Sequence, residues 1–318
     1  RGRNDDKFFA TSHEYMLIYA KNRSRAKIRD FTLSEEDRSA YSKQDDISPY
    51  NETSFMRTGN NSDRSTRPNL YYSIYLNEKT GKLTLEAKKG YKKILPINSH
   101  GEEKTWRWEK KTFLQKVETE LAVRKVKGEY RIFKKRRLLD ATGKRPKTMW
   151  VDSKYDASSN GIILLQNILG RAMDFDYPKS LYLVRDILEV TTEPDSIVVD
   201  FFAGSGTTGH AVLDLNKQDN GRRQFIVCTN NENNNGHGTG GIAESICLPR
   251  IQKVMKGYKN LRNSHIDGLG GCMRYFQTDF VGDVKTDQDK RNLVARSTEM
   301  LCVSESTFDE IKTVKDLV

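Results

Sequence analysis

The stretch SIVVDFFAGSGTTG, residues 196–209, joins a short apolar run to a turn that is rich in glycine. The run Ser196–Phe202 predicts a buried strand, His210–Asn216 predicts a helix, and Arg223–Thr229 predicts a second strand. A strand, a glycine turn, a helix and a strand make up the βαβ unit of a doubly wound parallel sheet. The sequence therefore predicts an α/β protein built on such a sheet.

The turn between this strand and this helix limits the ligand that it could hold. Gly204, Gly206 and Gly209 fit the spacing GxGxxG, which is typical of dinucleotide sites. However, Asp200 ends the strand, and its carboxylate would repel the pyrophosphate of a dinucleotide. S-adenosylmethionine (SAM) carries an ammonium and a sulfonium group, which a carboxylate favours, and glycines let the backbone approach a ligand closely. We therefore expect SAM at this turn, with a purely structural turn as the weaker alternative.

Polar side chains also follow the second predicted strand. Asn230 and Glu232 stand just after Thr229, where an acidic group of a βαβ unit can hydrogen-bond the hydroxyls of a ribose. Glu232 is the first candidate for this contact and Asn230 the second. A capped, asparagine-rich loop explains the same residues equally well.

The positive charge of the chain is concentrated in one region. The 318 residues carry a net charge of +11, and residues 51–150 alone contain 25 basic and 11 acidic side chains. Cations neutralise phosphates and aromatic rings can stack on bases, so this region predicts a nucleic-acid partner. For any single residue, a solvated cation or a tryptophan packed in a small core is the alternative. The candidate DNA contacts are Arg67, Tyr71, Tyr72, Trp106, Arg107, Trp108, Lys134, Lys135, Arg136 and Arg137.

Composition excludes other classes of protein. No run of 18 uncharged apolar residues occurs, which argues against a membrane span. The four cysteines are far apart and the five histidines are scattered, so no metal site is predicted. Free thiols of a cytoplasmic protein are the expected state of the cysteines.

Several motifs resemble those of amino-methylating DNA methyltransferases. Asp200–Gly209 is similar to their SAM motif DxFxGSGTT, and Phe175–Ser180 (FDYPKS) resembles their other cofactor motif. His13–Lys21 resembles the strand that follows the catalytic motif in the beta arrangement, where the target-recognition region comes next and the cofactor motifs last. Segments such as Trp106-Arg107-Trp108 are similar to modification subunits of type III restriction–modification systems.

The resemblance implies a Rossmann-like methyltransferase sheet with an inserted basic α+β target-recognition region. Residues 1–22 and 148–260 would form the methyltransferase core, 23–147 the target-recognition region and 261–318 a C-terminal extension. The implied activity is methylation of the adenine amino group in double-stranded DNA, with a restriction (helicase–nuclease) subunit and a homodimer as implied partners. The residues implied to hold SAM are Phe175, Asp176, Pro178, Lys179, Asp200, Phe201, Phe202, Ala203, Gly204, Gly206, Thr207 and Thr208.

The catalytic motif of the family, (D/N/S)PP(Y/F/W), does not occur in these 318 residues. The nearest string, Asp46–Asn51, has one proline and follows a polar stretch, so we interpret it as a turn. We therefore assign no catalytic residue and expect the C-terminal part of a methyltransferase. The alternative is a module that binds DNA, and SAM as well, without transferring a methyl group. An NAD-dependent oxidoreductase is disfavoured by Asp200 and by the basic region.

Overall fold

The glycine turn lies between two parallel strands in the computed structural model, which describes residues 8, 13–171, 175, 177–231, 241–278, 282–305 and 307. Strands β8 (Ile197–Asp200) and β9 (Gln224–Val227) pair in parallel, with Asp200 opposite Val227, and helix α5 (Thr207–Asp219) connects them. The predicted order of strand, helix and strand is thus confirmed, but the prediction that the first strand is buried is wrong, because Ile197 and Val199 are 62% and 47% exposed. The observed fold is mixed α/β, and within the described residues the parallel sheet contains these two strands.

Helices cover one face of the parallel pair. Helix α4 (Leu181–Thr191) packs against α5 around Leu181, Val212 and Leu215. On the other side of α5 lie α3 (Leu164–Leu169) and α6 (Leu248–Lys256), each preceded by a π-helical turn, Ser158–Ile163 and Ala243–Cys247 respectively. Their shared core places α6 directly behind the glycine turn.

The basic region forms two antiparallel sheets around an aromatic core. Strands β1 (Lys43–Gln44), β2 (Pro49–Ser54), β6 (Leu121–Val126) and β7 (Glu129–Arg137) form one sheet in the order β1-β2-β7-β6. Strands β3 (Ile74–Leu76), β4 (Leu83–Thr84) and β5 (Lys92–Ile94) form the other, with β3 in the middle. Helix α2 (Lys110–Glu120) supplies Phe113, whose ring packs near Phe55 and Tyr72.

The remaining elements are short or peripheral. Helix α1 (Glu35–Ser39) starts with a capping box in which Ser34 and Asp37 bond each other's backbone N–H. Strands β10 (Gly257–Lys259) and β11 (His265–Asp267) form a hairpin, and helix α7 (Asp287–Glu305) follows. One-turn 3₁₀ helices occupy Pro68–Leu70 and Ser153–Tyr155. Among the described residues, no helix has the length and apolarity to cross a bilayer.

Two sequence-based predictions of local structure are wrong. The apolar run Tyr15–Tyr19 predicts a strand over Phe8–Ala20, but residues 13–20 form no regular element and are exposed. A strand requires a neighbour for its backbone hydrogen bonds, and no described strand pairs with this run. The turn residues Ala141-Thr142-Gly143 predict a hairpin at that point, whereas the observed hairpin joins β6 to β7 through a turn at Lys127-Gly128.

Candidate cofactor site and nucleic-acid surface

The carboxylate of Asp200 is held inside the glycine turn by two hydrogen bonds. Its Oδ1 accepts from the backbone N–H of Phe202 at 2.9 Å, and its Oδ2 accepts from the hydroxyl of Thr208 at 2.6 Å. Each carboxylate oxygen has a second lone pair, so both can still accept a hydrogen bond from a ligand. The end of β8 therefore presents an oriented negative charge at the start of α5.

Two of the three glycines of the turn, Gly206 and Gly209, are closely packed. Gly204 and Gly206 have φ of +50° and +76°, in the left-handed region that favours glycine. A Cβ on Gly206 would lie 2.9 Å from Cys247 Sγ, and one on Gly209 would lie 2.9 Å from Ile251 Cδ1. The spacing of the glycines is therefore also set by helix α6, which packs against the turn.

The N-terminus of α5 faces the turn without a side-chain cap. Gly206 is the N-cap residue, and within the described structure no side chain bonds the first N–H groups of this 13-residue helix. Such N–H groups and the helix dipole attract anionic groups. The turn thus combines an oriented carboxylate, Asp200, with a set of backbone donors.

A buried arginine on α6 braces the turn from behind. Arg250 is 0% exposed, and its guanidinium donates to Ser205 Oγ at 3.0 Å and to Thr207 Oγ1 at 2.8 Å. No carboxylate among the described residues forms an ion pair with it, and its Nε–H has no hydrogen-bond partner there. Burial lowers the pKa of Arg250 to about 10, and burial, followed by the charge of Arg250, lowers the pKa of His210 well below its usual value. His210 is therefore neutral beside a cation.

The sequence contained a signal for Arg250 that was missed. Residues Ile246, Ile251 and Val254 form the buried stripe of this helical segment, and Arg250 stands in the same stripe. A cation in an apolar stripe must be hydrogen-bonded to polar groups of its neighbours, and here the glycine turn supplies them.

The FDYPKS segment lies beside the turn. The Phe175 ring is 3.7 Å from the place that a Cβ on Gly204 would occupy. The backbone carbonyl of Pro178 lies directly against Gly161, too close for any side chain there, and Pro178 is buried. Ser180 caps α4 by accepting from the backbone N–H of Leu183. The two motifs that resemble cofactor motifs are therefore neighbours in space.

The other predicted cofactor residues have varied surroundings. Ala203 is buried and Thr207 is bonded by Arg250, whereas the side chains of Phe201 and Phe202 are 70% and 92% exposed. Lys179 is exposed and forms an ion pair of 2.7 Å with Glu14, from the segment His13–Lys21. Asn230 is exposed three residues beyond the end of β9. Asp176 and Glu232 lie outside the described residues.

Three residues expected to contact DNA belong to the interior. Trp106 is 2% exposed and donates through Nε1 to the backbone carbonyl of Tyr72. The buried Tyr72 donates to the carbonyl of Trp108 at 2.8 Å. Arg137 is buried, and Asp45 and Glu120 neutralise it. The expectation is corrected for Tyr72, Trp106 and Arg137, because their polar atoms are used within the fold.

The other expected contacts lie at or near the surface. The Tyr71 hydroxyl donates to Glu103 at 2.6 Å, and Lys135 pairs with Asp45 at 2.7 Å. Lys134 Nζ lies 5.4 Å from the centroid of the half-buried Trp108 ring. Arg67 is half-buried, Arg107 donates to the Ser54 carbonyl at 2.7 Å, and Arg136 is exposed. Among the described residues, no three metal-ligating side chains converge.

Comparison with known proteins decides the family. The family model described as DNA methylase, for enzymes that methylate N6 or N4 amino groups, matches residues 2–236. The chain belongs to this DNA methylase family. The matched residues include the FDYPKS segment and the whole glycine turn, whereas Arg250 lies beyond them.

Relatives of this DNA methylase include restriction–modification proteins. The chain is 32% identical over 269 residues to the type III restriction–modification enzyme EcoPI Mod subunit of Escherichia phage P1. This match covers 80% of the chain and 41% of that protein. It is 34% identical over 235 residues to the type II methyltransferase M.KpnI of Klebsiella pneumoniae, in a match that covers 72% of the chain and 53% of that relative. A 55-residue stretch is 53% identical to the StyLTI Mod subunit of Salmonella typhimurium, which is 17% of the chain and 8% of that subunit. The chain thus spans about half, or less, of the length of these relatives.

Proposed function

We propose that this DNA methylase is a site-specific DNA methyltransferase that uses SAM as methyl donor, acts on the adenine amino group and serves as the modification subunit of a type III-like restriction–modification system. The observation that carries this proposal is the turn in which Asp200, held by Thr208, faces the uncapped N-terminus of α5. Membership of the DNA methylase family and the Mod-subunit relatives support the substrate class.

The residues of the turn fit SAM. The carboxylate of Asp200 suits a cationic group, and the free N–H groups at the start of α5 suit the carboxylate of an amino acid. Phe175, beside Gly204, and Phe201, at the end of β8, offer aromatic surface to the rest of the ligand. When bound, SAM would supply an activated methyl group. The pyrophosphate of NAD would meet the charge of Asp200, which disfavours an oxidoreductase.

We also propose a complete sheet, a division into domains and a set of partners for this DNA methylase. Strands β8 and β9 would be part of a doubly wound, Rossmann-like sheet, with residues 23–147 as the inserted target-recognition region and 261–318 as a C-terminal extension. Asp176 and Glu232 would join the cofactor site. Double-stranded DNA, a restriction (helicase–nuclease) subunit and a second copy would be the partners, in the cytoplasm.

A second candidate is a module that binds DNA and SAM but transfers no methyl group. The absence of (D/N/S)PP(Y/F/W) from these 318 residues favours this candidate for the chain by itself. Transfer of a radioactive methyl group from SAM to duplex DNA distinguishes the two. Incorporation into adenine supports the methyltransferase, while SAM and DNA binding without incorporation supports the module.

The cofactor assignment is tested with one substitution and its matched control. Asp200→Asn removes the charge while keeping one acceptor oxygen, and it should weaken SAM binding by about tenfold, or ~1.4 kcal/mol. Asp195→Asn removes the same charge from an exposed position just before β8, and it should leave SAM binding unchanged. Equal SAM affinity for wild type and Asp200→Asn would contradict the role of Asp200.

A further inference from the structure

The two faces of the sheet β1-β2-β7-β6 differ in how their cations are neutralised. Side chains alternate between faces along a strand, so 133, 135 and 137 of β7 share one face, and 132, 134 and 136 share the other. Through the strand register, Glu52 lies opposite Lys135, and Arg124 lies opposite Arg131, on the first face.

Acidic side chains neutralise cations of the first face. Glu52 pairs with Arg124 and with Lys43, the latter at 2.8 Å. Asp45 pairs with Lys135 and Arg137 at 2.7 and 2.8 Å. These contacts neutralise four cations, Lys43, Arg124, Lys135 and Arg137, whereas Arg131 on the first face has no ion pair with a described residue.

The second face ends in cations that have no acidic partner. Lys134 and Arg136 follow the buried Ile132 along this face, and neither forms an ion pair with a described residue. On the β2 side, Thr53 lies opposite Lys134 and Asn51 lies opposite Arg136, while Leu121 of β6 lies opposite Lys134 on the other side. None of these cross-strand neighbours is a carboxylate.

Two further arginines come to this face from neighbouring segments. The segment 55–57 bonds the segment 105–107, with Arg57 N donating to Thr105 O at 2.8 Å and Arg107 N donating to Phe55 O at 3.1 Å. The Arg107 side chain reaches back over β2, where its Nε donates to the carbonyl of Ser54. Arg57 and Arg107 also lack an ion pair within the part of the chain that the structure describes.

The arginines are close enough to affect one another. The pKa of Arg107 is lowered by burial first and then by the positive charges of Arg57 and Arg136. Holding like charges together costs free energy unless an anion lies between them. Lys135 and Arg137 are neutralised by Asp45. Arg57, Arg107 and Arg136 lie together without an acidic partner among the described residues, and such a cluster favours binding of an anion.

We propose that Arg57, Arg107, Lys134 and Arg136 form a contact site for the phosphate backbone of duplex DNA. This inference deepens the proposed function, on which it rests, by naming the surface of the basic region that meets the DNA. A guanidinium group can donate two parallel hydrogen bonds to one phosphate, and the side-chain amide of Asn51 and the hydroxyl of Thr53 are further donors beside these cations. Contacts of this kind position the protein without reading the base sequence.

The test is the salt dependence of DNA binding by the full chain. Binding of a fluorescent duplex is measured by anisotropy over a series of KCl concentrations, for wild type, Arg57→Gln, Arg136→Gln and the double variant. Each lost phosphate contact should lower the slope of log K against log[KCl] by about 0.9. The affinity should fall by a similar factor for duplexes of unrelated sequence. Arg107 is left unchanged because it also holds Ser54.

Arg124→Gln is the matched control, because it removes a guanidinium from the opposite face that Glu52 already neutralises. It should leave the slope unchanged, and all variants should melt at wild-type temperature. Slopes for Arg57→Gln and Arg136→Gln equal to that of wild type would overturn the inference while leaving DNA as a substrate. A wild-type chain that binds SAM but no duplex would overturn both the inference and the proposed DNA partner. An equal loss of slope in Arg124→Gln would show that total charge, and not this face, determines binding.

Discussion

The hydroxyl of Thr208, in the first turn of α5, donates a hydrogen bond of 2.6 Å to Oδ2 of Asp200, the last residue of β8. This bond closes the glycine turn over eight residues and fixes one oxygen of the carboxylate. The other oxygen accepts from the backbone N–H of Phe202. Asp200 is thus oriented before any ligand arrives, which reduces the free energy lost to ordering on binding.

Thr208→Val removes the hydroxyl while keeping the shape of the side chain. We expect SAM affinity to fall by roughly five- to tenfold, or about 1–1.4 kcal/mol, because a carboxylate that is no longer held by Thr208 must be ordered when the ligand binds. Calorimetric titration of SAM measures the effect. Thr191→Val, which removes an exposed hydroxyl bonded only to its own helix, is the control and should bind SAM as wild type does. An unchanged affinity in Thr208→Val would show that the orientation of Asp200 is not important for the cofactor.

Gly206→Ala should destabilise the protein through two separate causes. The residue has φ +76°, and its new Cβ would lie 2.9 Å from Cys247 Sγ. We expect a loss of about 2–4 kcal/mol in the free energy of unfolding, measured by urea denaturation. Gly90 has a similar φ, +83°, with open space around it, so Gly90→Ala should cost only about 1 kcal/mol. Equal losses for the two variants would contradict the close packing of α6 on the turn.

Arg250→Met tests whether the buried guanidinium positions the turn. Methionine fills similar space without the cost of burying a charge, so the free energy of unfolding should change little. Ser205 and Thr207 lose their donor, however, and SAM affinity should fall by about tenfold. Arg250→Lys, which keeps the charge and one donor, should recover part of this affinity. A parallel loss of stability and affinity in Arg250→Met would mean that Arg250 acts on the fold alone.

His210 should make the stability of the protein depend on pH. Burial, followed by the charge of Arg250, lowers its pKa in the folded state, while the unfolded chain has the usual value of 6.5. Below pH 6.5 the unfolded state binds a proton that the folded state does not. The folded state therefore has its full stability above pH 6.5 and loses stability as the pH falls from 6.5 towards the pKa of folded His210. The free energy of unfolding should fall by up to about 1.4 kcal/mol per pH unit in that window. His210→Gln should flatten this dependence, and an unchanged dependence in this variant would contradict the role of His210.

The elements that the sequence predicted well are those with strong local signals. The apolar run before Asp200 and the glycines after it determine a strand and a turn with few alternatives, and both are observed. FDYPKS was placed near the turn by resemblance, and Phe175 does lie beside Gly204. These features depend on residues that are close in sequence or carry a specific motif.

The features that were missed depend on contacts between distant residues. Whether Arg137 faces solvent or the interior is decided by Asp45, 92 residues away, which composition cannot reveal. Trp106 is interior because segment 105–107 pairs with 55–57. The run Tyr15–Tyr19 has strand-like residues, but a strand forms only with a neighbour, and none of the described strands provides it. The local sequence pattern indicates which secondary structure a segment favours, whereas contacts with distant residues decide whether that structure forms and which side chains are buried.

The proposed activity depends on SAM binding by the turn Asp200–Gly209. Calorimetric titration of SAM into the 318-residue chain, beside titrations of NAD and of SAM into the Asp200→Asn variant, measures this binding. We predict SAM binding in the micromolar range, weakened about tenfold by Asp200→Asn, and no binding of NAD. Binding of NAD without SAM, or SAM binding that Asp200→Asn leaves unchanged, would show that Asp200 does not hold SAM at this turn.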